Sequence, residues 1–243
     1  MAYVYLKSSH SPKTHIRKNI SQGQKRIIAI IFFSFGSILL LSVIAPIVQF
    51  QLEYSSKFGQ MINPLSAAHY NRSGNILGDL TADYTQLSNW FVDTSVNQEN
   101  ILNSSESQQY EISIPTLKVS DAIVKIGSQD LKNNLIQYPQ TALPGQVGSA
   151  VVFGHSVLPQ FFNPKSYLTI FSTLYRLKTG DEILVKYDNI DYKYLVEEMY
   201  EVQPTDLSVL EQRFDGRYFT LVTCSPPGTY LRRLVIRARL ADF

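Results

Sequence analysis

Residues 27 to 48 form an uncharged apolar run of 22 residues, from Ile27-Ile28-Ala29 through Leu39-Leu40-Leu41 to Pro46 and Val48. No other feature restricts the fold so tightly. As a helix rising 1.5 Å per residue, the run extends roughly 33 Å, about the depth of a bilayer's hydrocarbon core. Core helices of soluble proteins are normally shorter and carry charges. A cleavable signal peptide would have an apolar core of only ~7–15 residues, followed by small residues at the cut site. Val43-Ile44-Ala45, with Pro46 directly after it, fits that pattern poorly, so an uncleaved anchor is expected. Lys7, Lys13, Arg17, Lys18, Lys25 and Arg26 precede the run without a single acid. That excess places the N-terminus in the cytoplasm and the bulk of the chain outside.

The formal net charge of +2 belongs to this tail. Without its six cations the chain holds 16 basic and 20 acidic side chains, so nucleic acid is not an expected partner. Four regions follow: a basic cytoplasmic tail (1–26), a transmembrane helix (27–48), an extracytoplasmic connector (49–109) and a β-rich domain (110–243). The connector is polar, but Ile76, Leu77, Leu80, Tyr84, Leu87, Trp90 and Phe91 recur at spacings of three and four. This fits either a short amphipathic helix or a loose stalk with scattered apolar residues. From Tyr110 onward, short strand-like runs alternate with turn residues. Seven or eight strands in about 130 residues indicate a β-sandwich or a closed barrel.

Chemistry centres on Cys224, the only cysteine, which closes the run Thr220-Leu221-Val222-Thr223-Cys224. One cysteine forms no internal disulfide, and an unpaired thiol in an exported domain marks a reactive or an intermolecular role. On the last strand Leu234, Ile236, Ala238 and Leu240 share one face, and Arg233, Val235, Arg237 and Arg239 the other. The apolar face belongs inside. On the preceding strand Phe219 and Leu221 likewise turn inward, which turns Val222 and Cys224 outward. If the two strands pair across the loop Ser225 to Arg232, Cys224 and Arg233 stand at its feet on one face, and Arg232 points the other way. Directly opposed residues lie roughly 4.5–5.5 Å apart at their carbons. His155 follows another apolar strand ending Val151-Val152-Phe153, and no other histidine lies beyond position 69.

These three side chains suit acyl transfer by a thiol. An ordinary thiol, with a pKa of about 8.5, is only a few per cent ionised at neutral pH, and a neighbouring cation raises that fraction. Imidazole can carry a proton to a leaving amine and take one from an incoming nucleophile. A permanently charged guanidinium can hold the oxyanion. Taken singly, each has a bland reading: an inert buried thiol, a structural histidine, a solvated arginine face. One cysteine and one histidine fall short of the three or four ligands zinc needs, so no metal or cofactor is expected.

The run Thr220-Leu221-Val222-Thr223-Cys224 resembles the Thr-Leu-x-Thr-Cys signature of sortases, membrane-anchored cysteine transpeptidases of bacterial surfaces. Arg233 falls where that family places its arginine, and Phe153-Gly154-His155 resembles its histidine segment. Flanking matches run in order: Ile112-Ser-Ile-Pro115, Tyr138-Pro-Gln-Thr-Ala-Leu-Pro-Gly145, Phe171-Ser-Thr-Leu174, Lys178-Thr-Gly-Asp-Glu-Ile183 and Pro204-Thr-Asp206. The resemblance covers roughly residues 110–240. It implies a closed eight-stranded β-barrel with short helices, a catalytic set of His155, Cys224 and Arg233, and substrate contacts at Thr223, Ser225, Pro226 and Gly228. It also implies attack on a Thr–Gly-type bond in a C-terminal sorting signal of a surface protein, giving a thioester. An amine from a cell-wall precursor or a pilin then resolves that thioester. Loops rimming the cleft would be Ser225 to Arg232 and Ser156 to Phe171.

Pilus-polymerising sortases usually carry a second, C-terminal membrane segment and an Asp-Pro-aromatic lid. Here the sequence stops at Phe243, and Asn89-Trp90-Phe91 lacks that motif. Attachment of proteins to the envelope is therefore the leading expectation, with pilus building as an alternative. A hydrolytic cysteine peptidase on the same fold, with water replacing the amine, is another. A non-catalytic tethered binding module is disfavoured because all three chemical positions are filled. L,D-transpeptidases keep histidine and cysteine within one short motif, whereas here 69 residues separate them.

Overall fold

Alternating apolar and polar positions from Tyr110 onward produce strands, and eight are present in a computed structural model describing residues 21–58, 83–90 and 108–241. They are β1 (Gln109–Ile114), β2 (Val119–Ile126), β3 (Leu135–Gln137), β4 (Gly148–Phe153), β5 (Glu182–Tyr187), β6 (Ile190–Val202), β7 (Arg217–Ser225) and β8 (Arg232–Leu240). They close into a barrel in the order β1-β2-β3-β4-β7-β8-β6-β5. Closure leaves no edge strand to attract another chain. The expected eight-stranded closed barrel is thus the observed fold, and short 3₁₀ turns decorate its connections.

The chain divides into two compact units, Met1–Glu53 and Tyr54–Phe243. A single helix, α1 (Gln22–Phe58), makes up the described part of the first unit and continues one turn into the second. Ser21 and Gln24 cap its start reciprocally: the Ser21 amide donates to Gln24 Oε1, and the Gln24 amide donates to Ser21 Oγ. The helix is long and apolar enough to cross a membrane. Phe32, Phe33, Ile38 and Leu41 along it are well exposed.

Two of the barrel's pairings are parallel, β2 with β3 and β4 with β7. The second positions the site. Its register sets Phe153 beside Val222, so the chain leaving β4 emerges next to the residues that end β7. Tyr110, Tyr194 and Phe219 meet inside the barrel, with ring centroids 5.2 and 6.3 Å apart at Phe219. The residues of β7 from Tyr218 to Ser225 are all buried, on both faces. The inward face fills the barrel. The outward face carries a second apolar layer of Ile136, Tyr138, Val151, Phe153, Val222 and Cys224, roofed by Leu87, Trp90 and Leu131. Burying such a surface supplies the usual driving force of about 25 cal/mol per Å² of apolar area.

Candidate active site

β7 and β8 pair in antiparallel register with Cys224 opposite Arg233 and Ser225 opposite Arg232. The alternation of apolar residues in the two strands dictates this register, because a slip of one residue would turn Leu221 and Ile236 out of the barrel. Cys224 therefore lies on the outward face, as its parity with Val222 requires. It is nonetheless only 1% exposed, because Trp90 and its neighbours lie over it.

His155 reaches the same place from β4. The Gly154 amide donates to Val222 O at 3.2 Å, and Thr223 Oγ1 donates to Gly154 O at 2.7 Å. Ser156 Oγ donates to the Cys224 carbonyl at 2.8 Å. Residues 154 and 156 are thus fastened to 222–224, and the imidazole between them stands beside the thiol's strand. Gly154 tolerates no side chain, since a Cβ there would lie 2.5 Å from the Phe171 ring and 2.6 Å from Leu135 Cδ2. On the far side the Phe171 amide donates to His155 O at 3.0 Å, fixing the histidine's main chain.

Arg233 is 3% exposed and is held by main-chain carbonyls. Nη1 donates to Tyr230 O and Arg232 O, both at 3.2 Å, and Nη2 donates to Trp90 O at 2.9 Å. Its guanidinium lies 5.1 Å from the Trp90 ring centre, a cation–π contact. Among the described residues no carboxylate pairs with it. A buried cation without a counter-charge is ready to receive a negative one, a thiolate or an oxyanion. Two buried polar atoms here also lack a hydrogen-bond partner among the described residues, His155 Nε2 and Arg233 Nε. Orphaned atoms of this kind are rare in folded proteins and mark places where another molecule is to be met.

The cover is Asp83 to Trp90. Leu87 donates its amide to Gln129 O at 3.0 Å, and Leu131 donates back to Thr85 O at 2.9 Å. This is a short strand-like pairing with the β2–β3 connection. Trp90 is fully buried, its Nε1 donates to Tyr84 O at 2.7 Å, and its ring packs 5.7 Å from Phe153 and 6.0 Å from His155. Tyr84 stacks on Tyr230 of the β7–β8 loop at 4.0 Å. Of the connector residues spaced at three and four, Tyr84, Leu87 and Trp90 lie here, the last two in a single 3₁₀ turn, Leu87–Trp90. Ile76, Leu77, Leu80 and Phe91 lie outside the described residues.

The cover sets the electrostatics. Burial pushes the Cys224 thiol above its ordinary value, and Arg233 opposes this only in part. Burial lowers His155 to about 4, against a smaller upward pull from Asp83 and Asp130. Thiol and imidazole are therefore both neutral at pH 7 while Trp90 is seated.

The other sequence-derived positions divide into two groups. Thr223 and Ser225 lie on the inward face with their hydroxyls engaged, the first by Gly154 O and the second by Glu201 Oε1 at 2.5 Å. Neither hydroxyl points toward Trp90. Pro226 and Gly228 lie in the loop that opens from Ser225. Gly228 has φ +83°, and a Cβ there would meet Leu158 at about 3 Å, so only glycine lets this loop approach the chain beyond His155. Ser156 opens the segment expected to rim the cleft, and its hydroxyl fastens to the Cys224 carbonyl. Glu201 and Trp90 join the site without having been expected there, and of these only Trp90, the sole tryptophan, stood out in the sequence.

A family model described as the Sortase domain matches residues 112–241. No curated protein matches the chain by sequence. Among solved structures, sortase C1 from Streptococcus agalactiae is 28% identical over 63% of this chain and 79% of its own, with a TM-score of 0.50. Sortase A from Corynebacterium diphtheriae is also 28% identical, over 57% of this chain and 62% of its own, with a TM-score of 0.49. A Clostridium perfringens sortase D5 transpeptidase is 24% identical, over 65% of this chain and 96% of its own, at 0.48.

Proposed function

Because the chain belongs to the sortase family, we propose that it is a membrane-anchored cysteine transpeptidase whose chemistry is carried by Cys224, His155 and Arg233. In this reading α1 holds the barrel at the outer face of the membrane. The observation that carries it is the rung pairing Cys224 with Arg233, beside a histidine whose Nε2 is buried without a partner among the described residues.

The substrate is the C-terminal sorting signal of a surface protein, cleaved after threonine. Substrate entry displaces Trp90, which frees Arg233 Nη2 from the Trp90 carbonyl and readmits water around His155 and Cys224. Rehydration lifts the burial penalty on the charged forms, so a proton can pass from sulfur to imidazole. The thiolate attacks the threonine carbonyl carbon, and the oxyanion lies against Arg233. His155 delivers its proton to the departing amine as the C–N bond breaks, leaving a thioester on Cys224. An incoming amine gives up a proton to His155 as it attacks the thioester, and the thiolate leaves. Thr223, Ser225, Pro226 and Gly228 serve the peptide mainly through their main chain and loop shape, since the two hydroxyls are engaged elsewhere.

Incubation with a set of sorting-signal peptides, followed by intact-mass detection, tests the proposal. A mass increase matching an acyl group, absent in Cys224→Ala, is expected. An added amine should divert product from acid to amide. Acid as the sole product at any amine concentration would leave the hydrolytic peptidase instead. Pilus polymerisation is a second reading, favoured by the segment Asp83 to Trp90 that roofs the thiol. A lysine side-chain acceptor outcompeting a cell-wall precursor amine would decide for it.

A further inference from the structure

One turn of α1 reaches the β7–β8 rung next to the catalytic one. Tyr54 is 1% exposed, and its hydroxyl donates to Glu201 and touches Ser225 Oγ. Ser225 Oγ donates to the same Glu201 Oε1 at 2.5 Å, and Arg232 Nη1 lies 3.5 Å from Oε2. The Glu201 side chain is only 9% exposed. A carboxylate so enclosed is costly unless its oxygens are saturated with donors. Two of its donors, Ser225 and Arg232, face each other across the β7–β8 rung adjoining the Cys224–Arg233 rung. The third comes from the helix.

The same helical turn holds the other side of the site. Lys57 Nζ donates to Tyr175 O at 2.7 Å, and the Tyr54 ring packs edge-on to Tyr175 at 5.9 Å. Tyr175 belongs to the turn that follows Phe171 and Ser172. Those two residues bond the main chain at His155 and Val157, through the Phe171 amide and Ser172 Oγ. One turn of helix therefore braces both supports of the site, the foot of the loop bearing Cys224 and Arg233 and the turn that fixes His155.

We infer that Tyr54 is a positioning residue for acyl transfer, acting through Glu201 and Ser225 to hold the separation of the Cys224 sulfur and the Arg233 guanidinium. This rests on the transpeptidase reading above. A small error in the placement of reacting groups has a steep effect on rate, while peptide contacts made elsewhere are unaltered. Loss of the Tyr54 hydroxyl should consequently lower kcat and leave KM nearly unchanged.

The test uses the full chain in detergent, with Tyr54→Phe, which keeps the ring and its packing, and Glu201→Gln as a second variant. Two quantities are measured: kcat and KM for thioester formation, and the pH profile of Cys224 alkylation by iodoacetamide. Arg233 and Tyr230 are the titratable or charged groups coupled to the thiol, and His155 stands next to its strand. Tyr54→Phe should reduce kcat about tenfold, as expected for one lost hydrogen bond to a charged group, with KM within about twofold. The alkylation midpoint should move up, because Arg233 is held less firmly beside the sulfur. Glu201→Gln should do the same, and the double variant should be no worse than the worse single one. A kcat and an alkylation profile like those of the unaltered protein would overturn the inference. So would a fall in Tm with the alkylation midpoint unmoved, which marks a purely structural brace. If the unaltered protein forms no thioester with any peptide, the transpeptidase reading fails. The alkylation profiles still decide the role of Tyr54.

Discussion

His155 carries the clearest consequence at the scale of single residues. Its folded value of about 4 lies below the ordinary 6.5 of an exposed imidazole, and burial is the main cause. Unfolding raises the affinity for that proton. The resulting stability is fully present above pH 6.5 and is lost as pH falls from 6.5 toward 4. The 2.5-unit gap corresponds to about 3 kcal/mol. His155→Gln should therefore flatten the acid limb of Tm against pH in this window. Parallel curves for the two proteins would show that the imidazole is not buried as described. The identities of Cys224, His155 and Arg233 stood out in the sequence because each is chemically rare or sits at a strand end. Glu201 did not, since it is one of 20 acidic residues. Its enclosure depends on which strand lies beside β8.

At the scale of elements, the segment Asp83 to Trp90 decides access to the thiol. It is fastened by a few main-chain bonds to the β2–β3 connection, one carbonyl on Arg233 and the Tyr84–Tyr230 stack. Such a peripheral attachment can open without unfolding the barrel. Trp90→Ala removes the indole from Phe153, His155 and Cys224. It should speed alkylation of Cys224 by at least about tenfold, and it should lower Tm by several degrees because a fully buried indole is lost. Unchanged alkylation would mean that the cover is not what shields the sulfur. The strands β7 and β8 were legible from alternation. The three-residue β3 was not, because it lies in a polar stretch and exists only through its neighbours β2 and β4. The apolar spacing around Tyr84 to Trp90 was visible, but it fitted a helix or a stalk equally well. What orders it is the exposed face of the barrel beneath.

For the molecule as a whole, the boundary of the folded unit is the testable point. The barrel strands begin at Gln109, and residues 110–243 are expected to fold alone. Yet Tyr54, Leu87 and Trp90, all outside that range, are buried in the second unit. A fragment of residues 110–243 should be folded but about 10 °C lower in Tm than one of residues 54–243, because three large side chains lose their burial. It should also alkylate faster at Cys224 and bind a hydrophobic dye at the uncovered layer of Ile136, Tyr138, Val151 and Phe153. Equal Tm values would show that the connector adds nothing to the domain.

The sequence alone determined what is local or periodic. A 22-residue uncharged run sufficed for a membrane-length helix, because length and apolarity are properties of the run itself. Alternation in β7 and β8 sufficed for the register that opposes Cys224 to Arg233, because one wrong step would expose the barrel's core. Tertiary structure alone decided that the thiol is roofed and neutral, that Tyr54 meets Glu201 and Ser225 next to the reactive rung, and that Lys57 holds the Tyr175 carbonyl. Those contacts join residues more than 100 positions apart, and only closure of the barrel gives such residues a common surface.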